Sequence, residues 1–294
     1  MTIKGSIVAI VTPFRKGKVD EAKYRKLIEF QIKNGTDGIV PCGTTGESPT
    51  LSHEEHQRVI EICIETVNGR VPVIAGTGSN STSEAIALTK HAAKAGADAA
   101  LIVSPYYNKP TQEGLYQHFK SIADSVKIPI ILYNIAGRTA VNIESPTVAR
   151  LAQDCPNIIG VKEASGSLEQ MQTVKRLCPK DFLLLSGDDG LLLPLLSIGG
   201  VGVISVAANI IPKEIKKIIT DWNNGNIKEA QELYYKTLPL IKALFIETNP
   251  IPVKTAMELM GLCSAELRLP LCAMALENQR KLKAALQEYG LLTS

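Results

Sequence analysis

The chain has 294 residues, 45% of them hydrophobic, enough to bury a large core in one barrel-sized domain with an appendage or in two smaller domains. Its 32 basic and 29 acidic residues leave a formal net charge of +3 with no basic block, so nucleic acid is not an implied partner. Six cysteines (Cys42, Cys63, Cys155, Cys178, Cys263 and Cys272) lie far apart, without a C-x-x-C pair or a preceding secretory signal, and point to the reducing cytoplasm.

Short runs rich in Ile, Val, Leu and Ala recur from the start: residues 6–11, 38–41, 71–75, 99–103, 128–133, 158–161, 182–185 and 202–206. Each is closed by Gly, Pro, Ser or Thr and followed by a charged, helix-like segment, at the spacing of roughly one strand plus crossover helix. Residues 20–33 place Leu27, Ile28 and Ile32 among charges, and Ser52 with Glu55 has the capping-box spacing. Residues 83–94 and 111–125 repeat the helical pattern. About eight βα units without a switch in order predict an α/β fold, a (β/α)8 TIM barrel, rather than an open doubly wound sheet. Residues 190–212 carry no charge, yet Pro194, Gly199, Gly200 and Gly202 interrupt them; they read as barrel interior, and no membrane contact is expected. Residues 213–222 read as the last barrel helix, and Asn223, Asn224, Gly225 and Asn226 break the chain. Three more helical segments follow, at 227–248, 253–260 and 271–289, divided by Asn249-Pro250-Ile251-Pro252 and by Gly261. The expected organisation is a catalytic barrel at 1–225 and a C-terminal helical appendage at 226–294.

In a TIM barrel, chemistry sits on the loops after the strands. There the chain places Gly43, Thr44, Thr45, Gly46, Glu47 and Ser48 after strand 2, then Gly76, Thr77 and Gly78. Ser104, Pro105, Tyr106 and Tyr107 follow strand 4; Tyr133, Asn134 and Arg138 follow strand 5. Lys162 ends strand 6, and Ser186, Gly187, Asp188 and Asp189 end strand 7. The run from Ile158 to Val161 delivers Lys162 to a place with little water. Burial lowers a lysine's pKa and raises the share of free amine, the form that attacks a carbonyl. Singly, such a lysine is more often a surface charge, Tyr133 an amphipathic core residue and Arg138 a solvated loop charge. Together they suit imine chemistry: an amine for a ketone, phenol and hydroxyls for protons, a cation for a carboxylate. Other motifs are weak. Gly76-Thr77-Gly78 lacks the third glycine of a dinucleotide fingerprint, no phosphate loop is present, and His53, His56, His91 and His118 lack zinc-ligand spacing. On the residues alone, the chain is a Schiff-base barrel enzyme acting on a small keto acid, or a barrel that only binds one.

Five stretches carry a resemblance: GTTGES (43–48), YNIAGRT (133–139), VKEASG (161–166), GVGVIS (200–205) and NPIPVK (249–254). In combination they resemble the 4-hydroxy-tetrahydrodipicolinate synthase (dihydrodipicolinate synthase) family of pyruvate-dependent Schiff-base lyases over essentially the whole chain. The resemblance implies a class I aldolase-like lyase of diaminopimelate and lysine biosynthesis, using neither metal nor organic cofactor. Lys162 would form an imine with pyruvate whose enamine adds to L-aspartate 4-semialdehyde. Tyr133, Thr44 and Tyr107 would relay protons, with Tyr107 supplied across a subunit interface. Thr45, Gly187 and the backbone at Ile204 would bind substrate, and Arg138 would hold the semialdehyde carboxylate. It further implies a homo-oligomer, a tetramer built from dimers, and feedback inhibition by L-lysine at Ser48, His53, His56, Asn80, Glu84 and Tyr106. Two departures stand out: Ala136 replaces the usual proline before Gly137-Arg138, which should loosen that loop, and Pro49 stands where relatives often have alanine. Rival readings are an N-acetylneuraminate or 2-keto-3-deoxy-sugar-acid lyase, against which Arg138 argues, and a pyridoxal-phosphate enzyme.

Overall fold

The computed structural model describes residues 2–293. Eight parallel strands form the wall: β1 (Gly5–Ala9), β2 (Gly38–Val40), β3 (Ile74–Gly76), β4 (Ala99–Val103), β5 (Ile130–Asn134), β6 (Ile158–Glu163), β7 (Leu183–Ser186) and β8 (Gly202–Ser205). Their order is β2-β1-β8-β7-β6-β5-β4-β3, and a parallel bridge between Ile39 and Val73 joins the two ends into a TIM barrel, as the alternation of elements predicts. A short hairpin, Phe14–Arg15 with Lys18–Val19, follows β1; it was not expected, being two residues per strand around Lys16 and Gly17, both at positive φ.

The outer layer consists of α1 (Glu21–Lys33), α2 (His53–Val67), α3 (Thr82–Ala95), α4 (Gln112–Ser125), α5 (Ser145–Asp154), α6 (Leu168–Leu177), α7 (Leu192–Ser197) and α8 (Pro212–Asn223). Their starts follow local chemistry. Asp20 accepts from the Lys23 amide at 2.9 Å, and Ser52 and Glu55 form the expected capping box. The uncharged stretch 190–212 is not all barrel interior. It contains α7, whose Leu192, Leu193, Leu195 and Leu196 lie buried in the helical layer, and then β8. Among the described residues no helix is long and apolar enough to cross a membrane.

Three further helices follow, α9 (Ile227–Ala243), α10 (Ile251–Leu259) and α11 (Leu276–Tyr289). Two begin at other residues than expected. Pro252 lies in the first turn of α10, where its missing N–H is not needed, so α10 starts before 253. The chain before Leu276 is not helical, so α11 starts later than 271. A single apolar cluster runs from Val8, Ile28 and Ile60 of the barrel through Ile218 of α8 to Leu240, Met257 and Leu282, packing the C-terminal helices onto it. Residues 251–257 of α10 are all buried, the pattern of a helix enclosed on every side.

Candidate active site

Lys162 and Tyr133 face each other in register on neighbouring strands, β6 and β5. Both are buried, at 6% and 5% exposure, and the Lys162 Nζ lies 4.1 Å from the centre of the Tyr133 ring. A bulge sets this register: Ile130 pairs with Ile158, but Ile131 pairs with Gly160, leaving Ile159 as the extra residue. Gly160 is required there, because a Cβ would come within 2.6 Å of the Leu183 Cβ and carbonyl oxygen. Lys162 thus belongs to the strand, which runs one residue further, to Glu163. From β7's end, Gly187 closes over the amine: a Cβ would stand 3.0 Å from the Lys162 Cε and 2.6 Å from the Ala164 Cβ. Ile204, 1% exposed, lines the barrel interior with Tyr133 and Leu185.

The turn after β2 carries Thr44 and Thr45. Hydrogen bonds from the Gly46 amide to the Gly43 oxygen and from the Glu47 amide to the Thr44 oxygen, each 3.1 Å, coil it tightly, and Glu47 takes a left-handed φ of 55°. Thr45 is buried, and its Oγ1 accepts from Asn249 Nδ2 at 3.0 Å. Asn249 also accepts, through its carbonyl, from Arg138 Nη2 at 3.0 Å. One residue of the NPIPVK stretch therefore touches both a candidate substrate-binding threonine and the candidate carboxylate clamp. Arg138 sits in one helical turn, Ala136–Thr139, with Ala136 in its first position. The Arg138 and Thr139 amides donate to the Ile135 oxygen at 3.0 and 3.1 Å, so the turn holds without the proline.

Beneath this turn lies a feature the motifs contain but local pattern does not reveal. Lys254 of α10, fully buried, donates to Glu47 Oε1 at 2.7 Å, to the Thr12 oxygen at 3.0 Å and to the Glu266 oxygen. The Arg268 amide donates to the other Glu47 oxygen at 3.2 Å, and its guanidinium pairs with Glu55. Lys254 and Arg268 both lie over the Phe14 ring, at 4.3 and 4.4 Å. Burial pulls the Lys254 ammonium below its ordinary pKa, and Glu47 opposes that pull. The C-terminal helices thus grip the turn that presents Thr44.

A cavity of about 340 Å³ opens beside these strand ends, lined by Thr44, Tyr133 and Arg138 and also by Ser48, His53, His56, Glu84 and Tyr106. Five of the six residues expected to bind lysine therefore share one space with three expected at the active site. The sixth, Asn80, donates to the Tyr106 oxygen at 3.2 Å. Glu84 pairs with His53 Nε2 at 2.9 Å and accepts from Ser79 Oγ. Burial pulls the His56 imidazole down to about 4, so it stands neutral. Pro49 occupies the first turn of the short 3-10 helix Ser48–Thr50, a position that suits its fixed φ. Lys162, Thr45, Gly187 and Ile204 are not on the lining of this cavity, and Tyr107 is 89% exposed, at a φ of 72°. Among the described residues no group of His, Cys, Asp or Glu is arranged to hold a metal ion.

The chain matches the model of the dihydrodipicolinate synthetase family over residues 2–289. It is 61% identical over 288 residues to the 4-hydroxy-tetrahydrodipicolinate synthase of Endomicrobium trichonymphae, covering 98% of this chain and 99% of the relative. The solved dihydrodipicolinate synthase of Acinetobacter baumannii complexed with pyruvate superposes with a TM-score of 0.96 at 48% identity, over 99% of this chain and 100% of the other. That of Cyanidioschyzon merolae with lysine bound gives a TM-score of 0.96 at 44% identity, over 98% and 99% of the two chains. By sequence match along almost its whole length and by likeness of fold, the chain belongs to the dihydrodipicolinate synthetase family.

Proposed function

We propose that this chain is the lyase its relatives are named for, a 4-hydroxy-tetrahydrodipicolinate synthase condensing pyruvate with L-aspartate 4-semialdehyde on the diaminopimelate route to lysine, and that Lys162 carries the reaction. The observation that carries the reading is the buried Lys162 amine against the Tyr133 ring, at the carboxyl end of the barrel strands where TIM-barrel chemistry sits. The amine attacks the ketone carbon of pyruvate, water leaves, and loss of a methyl proton gives an enamine. The enamine carbon adds to the aldehyde of the second substrate, whose amino group then attacks the imine carbon and frees Lys162. Tyr133 and Thr44 move protons from their places on the cavity wall. Thr45, Gly187 and the Ile204 backbone receive the pyruvate end, and Arg138 takes the semialdehyde carboxylate.

Tyr107, projecting from the surface, completes the hydroxyl chain of a neighbouring copy, so the working form is a homo-oligomer, a tetramer built from dimers. The barrel at 1–225 carries the chemistry, the helices at 226–294 form the second unit, and the enzyme works in the cytoplasm. L-Lysine inhibits by binding at Ser48, His53, His56, Asn80, Glu84 and Tyr106, where the Glu84 carboxylate suits its ammonium. The deciding experiment is incubation with pyruvate and borohydride, followed by intact mass and peptide mapping. A reduced adduct on Lys162 that disappears in Lys162→Ala is expected; an adduct at another lysine, or none, overturns the assignment.

A further inference from the structure

We infer that Asn134 and Glu163 are positioning residues whose hydrogen bonds, on the outer face of the barrel wall, hold Tyr133 and Lys162 side by side on the inner face. The inference rests on the Schiff-base reading above. Asn134 follows Tyr133 and Glu163 follows Lys162, and the two lie opposite each other in the β5–β6 register. Side chains alternate along a strand, so the reactive pair points into the barrel while this pair points outward beneath α6. Both are fully buried.

The Glu163 carboxylate is met by neutral donors from three segments. Asn134 Nδ2 reaches both its oxygens at 3.1 Å, the Ser165 amide reaches Oε1 at 2.8 Å, and Gln170 Nε2 of α6 reaches Oε2 at 2.9 Å. Asn134 is itself tied down, donating to Asn142 Oδ1 at 2.7 Å and accepting from the Ile143 amide at 2.9 Å. The need for such a lock lies upstream. Because of the bulge at Ile159, the pairing of Tyr133 with Lys162 is not what an unbroken ladder from Ile130 and Ile158 would produce. A slip of one residue would turn Lys162 out of the barrel and bring Glu163 into it. The Asn134–Glu163 bonds form only in the register that sets amine and phenol together.

The test is a quenched time course of pyruvate imine formation, trapped with borohydride and read by intact mass over a range of pyruvate concentrations. Glu163→Gln replaces an acceptor oxygen with an amide that faces donors. The expected result is a maximal rate lowered about tenfold or more, through misplacement of the amine, with the half-saturating pyruvate concentration within about threefold of the parent. Gln170→Glu alone sets two carboxylates together and slows the reaction similarly. The double variant Glu163→Gln/Gln170→Glu, in which the new amide donates to the new carboxylate, returns the rate to within about threefold of the parent. A parental rate in Glu163→Gln, or a loss the double variant does not recover while unfolding at the parental temperature, overturns the inference. Should Glu163→Gln fail to fold, Asn134→Ala removes the cross-strand bonds together with those to Asn142 and Ile143 and carries the same expectation; a parental rate there overturns it equally. An absence of adduct in the parent would instead remove the Schiff-base reading itself.

Discussion

Replacing Lys254 with methionine should destabilise the protein and disturb the Thr44 turn together. Methionine keeps most of the side chain's volume, so little cavity forms. What is lost is an ammonium that donates to Glu47, to the Thr12 oxygen and to the Glu266 oxygen at a site with no exposure. The Glu47 carboxylate, 2% exposed, would keep only the Arg268 amide at 3.2 Å. Breaking a buried ion pair from one side costs about 3–5 kcal/mol, because a charge is left without its partner in a poor solvent. At roughly 2–3 °C per kcal/mol for a chain of this size, the melting temperature should fall about 6–15 °C. Lys254→Met/Glu47→Gln removes the stranded charge and should recover about half of that loss or more. The assay is urea denaturation at one fixed protein concentration, beside steady-state kinetics in which the variant's KM for pyruvate rises. A single variant within about 1 kcal/mol of the parent, or a double variant no more stable than the single, would refute the reasoning.

The other predictions concern the site and its acid sensitivity. Gly187→Ala should fold yet form little imine, since the added methyl would press on the Lys162 side chain and on Ala164; a parental trapping rate would show that the amine has more room than these contacts allow. Arg138→Ala should form the pyruvate adduct normally and lose about a hundredfold or more in kcat/KM for the semialdehyde, the outcome of removing the proposed carboxylate partner; equal loss in both steps would argue for a structural role. Burial holds the imidazoles of His56 and His118 at about 4 in the folded chain, against an ordinary 6.5 when unfolded. The unfolded chain therefore binds more protons in this window. Stability present above 6.5 is lost as pH falls towards 4, by about 2 kcal/mol per histidine at pH 5. Denaturation curves of the parent and of His56→Asn at neutral pH and at pH 5 measure this, and an identical pH dependence in the two would exclude His56 as a source.

Residues with a period of their own were readable in advance. The apolar runs located all eight barrel strands to within a few residues, and Ser52 with Glu55 marked the start of α2, because both signals are local. Lys162 was readable too, since the run before it delivers it to the strand end. What escaped depends on contacts between distant parts of the chain. Lys254 meets Glu47 from 207 positions away, and Asn249 reaches Thr45 from 204, with nothing in either neighbourhood to announce the pairing. The bulge at Ile159 is equally silent, since Ile158, Ile159 and Val161 read as a regular buried strand. Tyr107 enters only through likeness to other proteins, and in the single chain its side chain is exposed.

The barrel wall is unevenly stitched. β5 and β6 are paired through to Asn134 and Glu163, whereas β2 and β3 are joined by the Ile39–Val73 bridge, the Ile39 amide on Pro72 and the Gly76 amide on Pro41. Just past this seam the two backbones approach closely, for a side chain on Gly76 would run into the Cys42 carbonyl. The cavity opens along it, with Cys42, Gly43, Gly76 and Gly78 on its lining. Amide hydrogen exchange should accordingly be fastest in β2 and β3, and an occupant of the cavity would register there first.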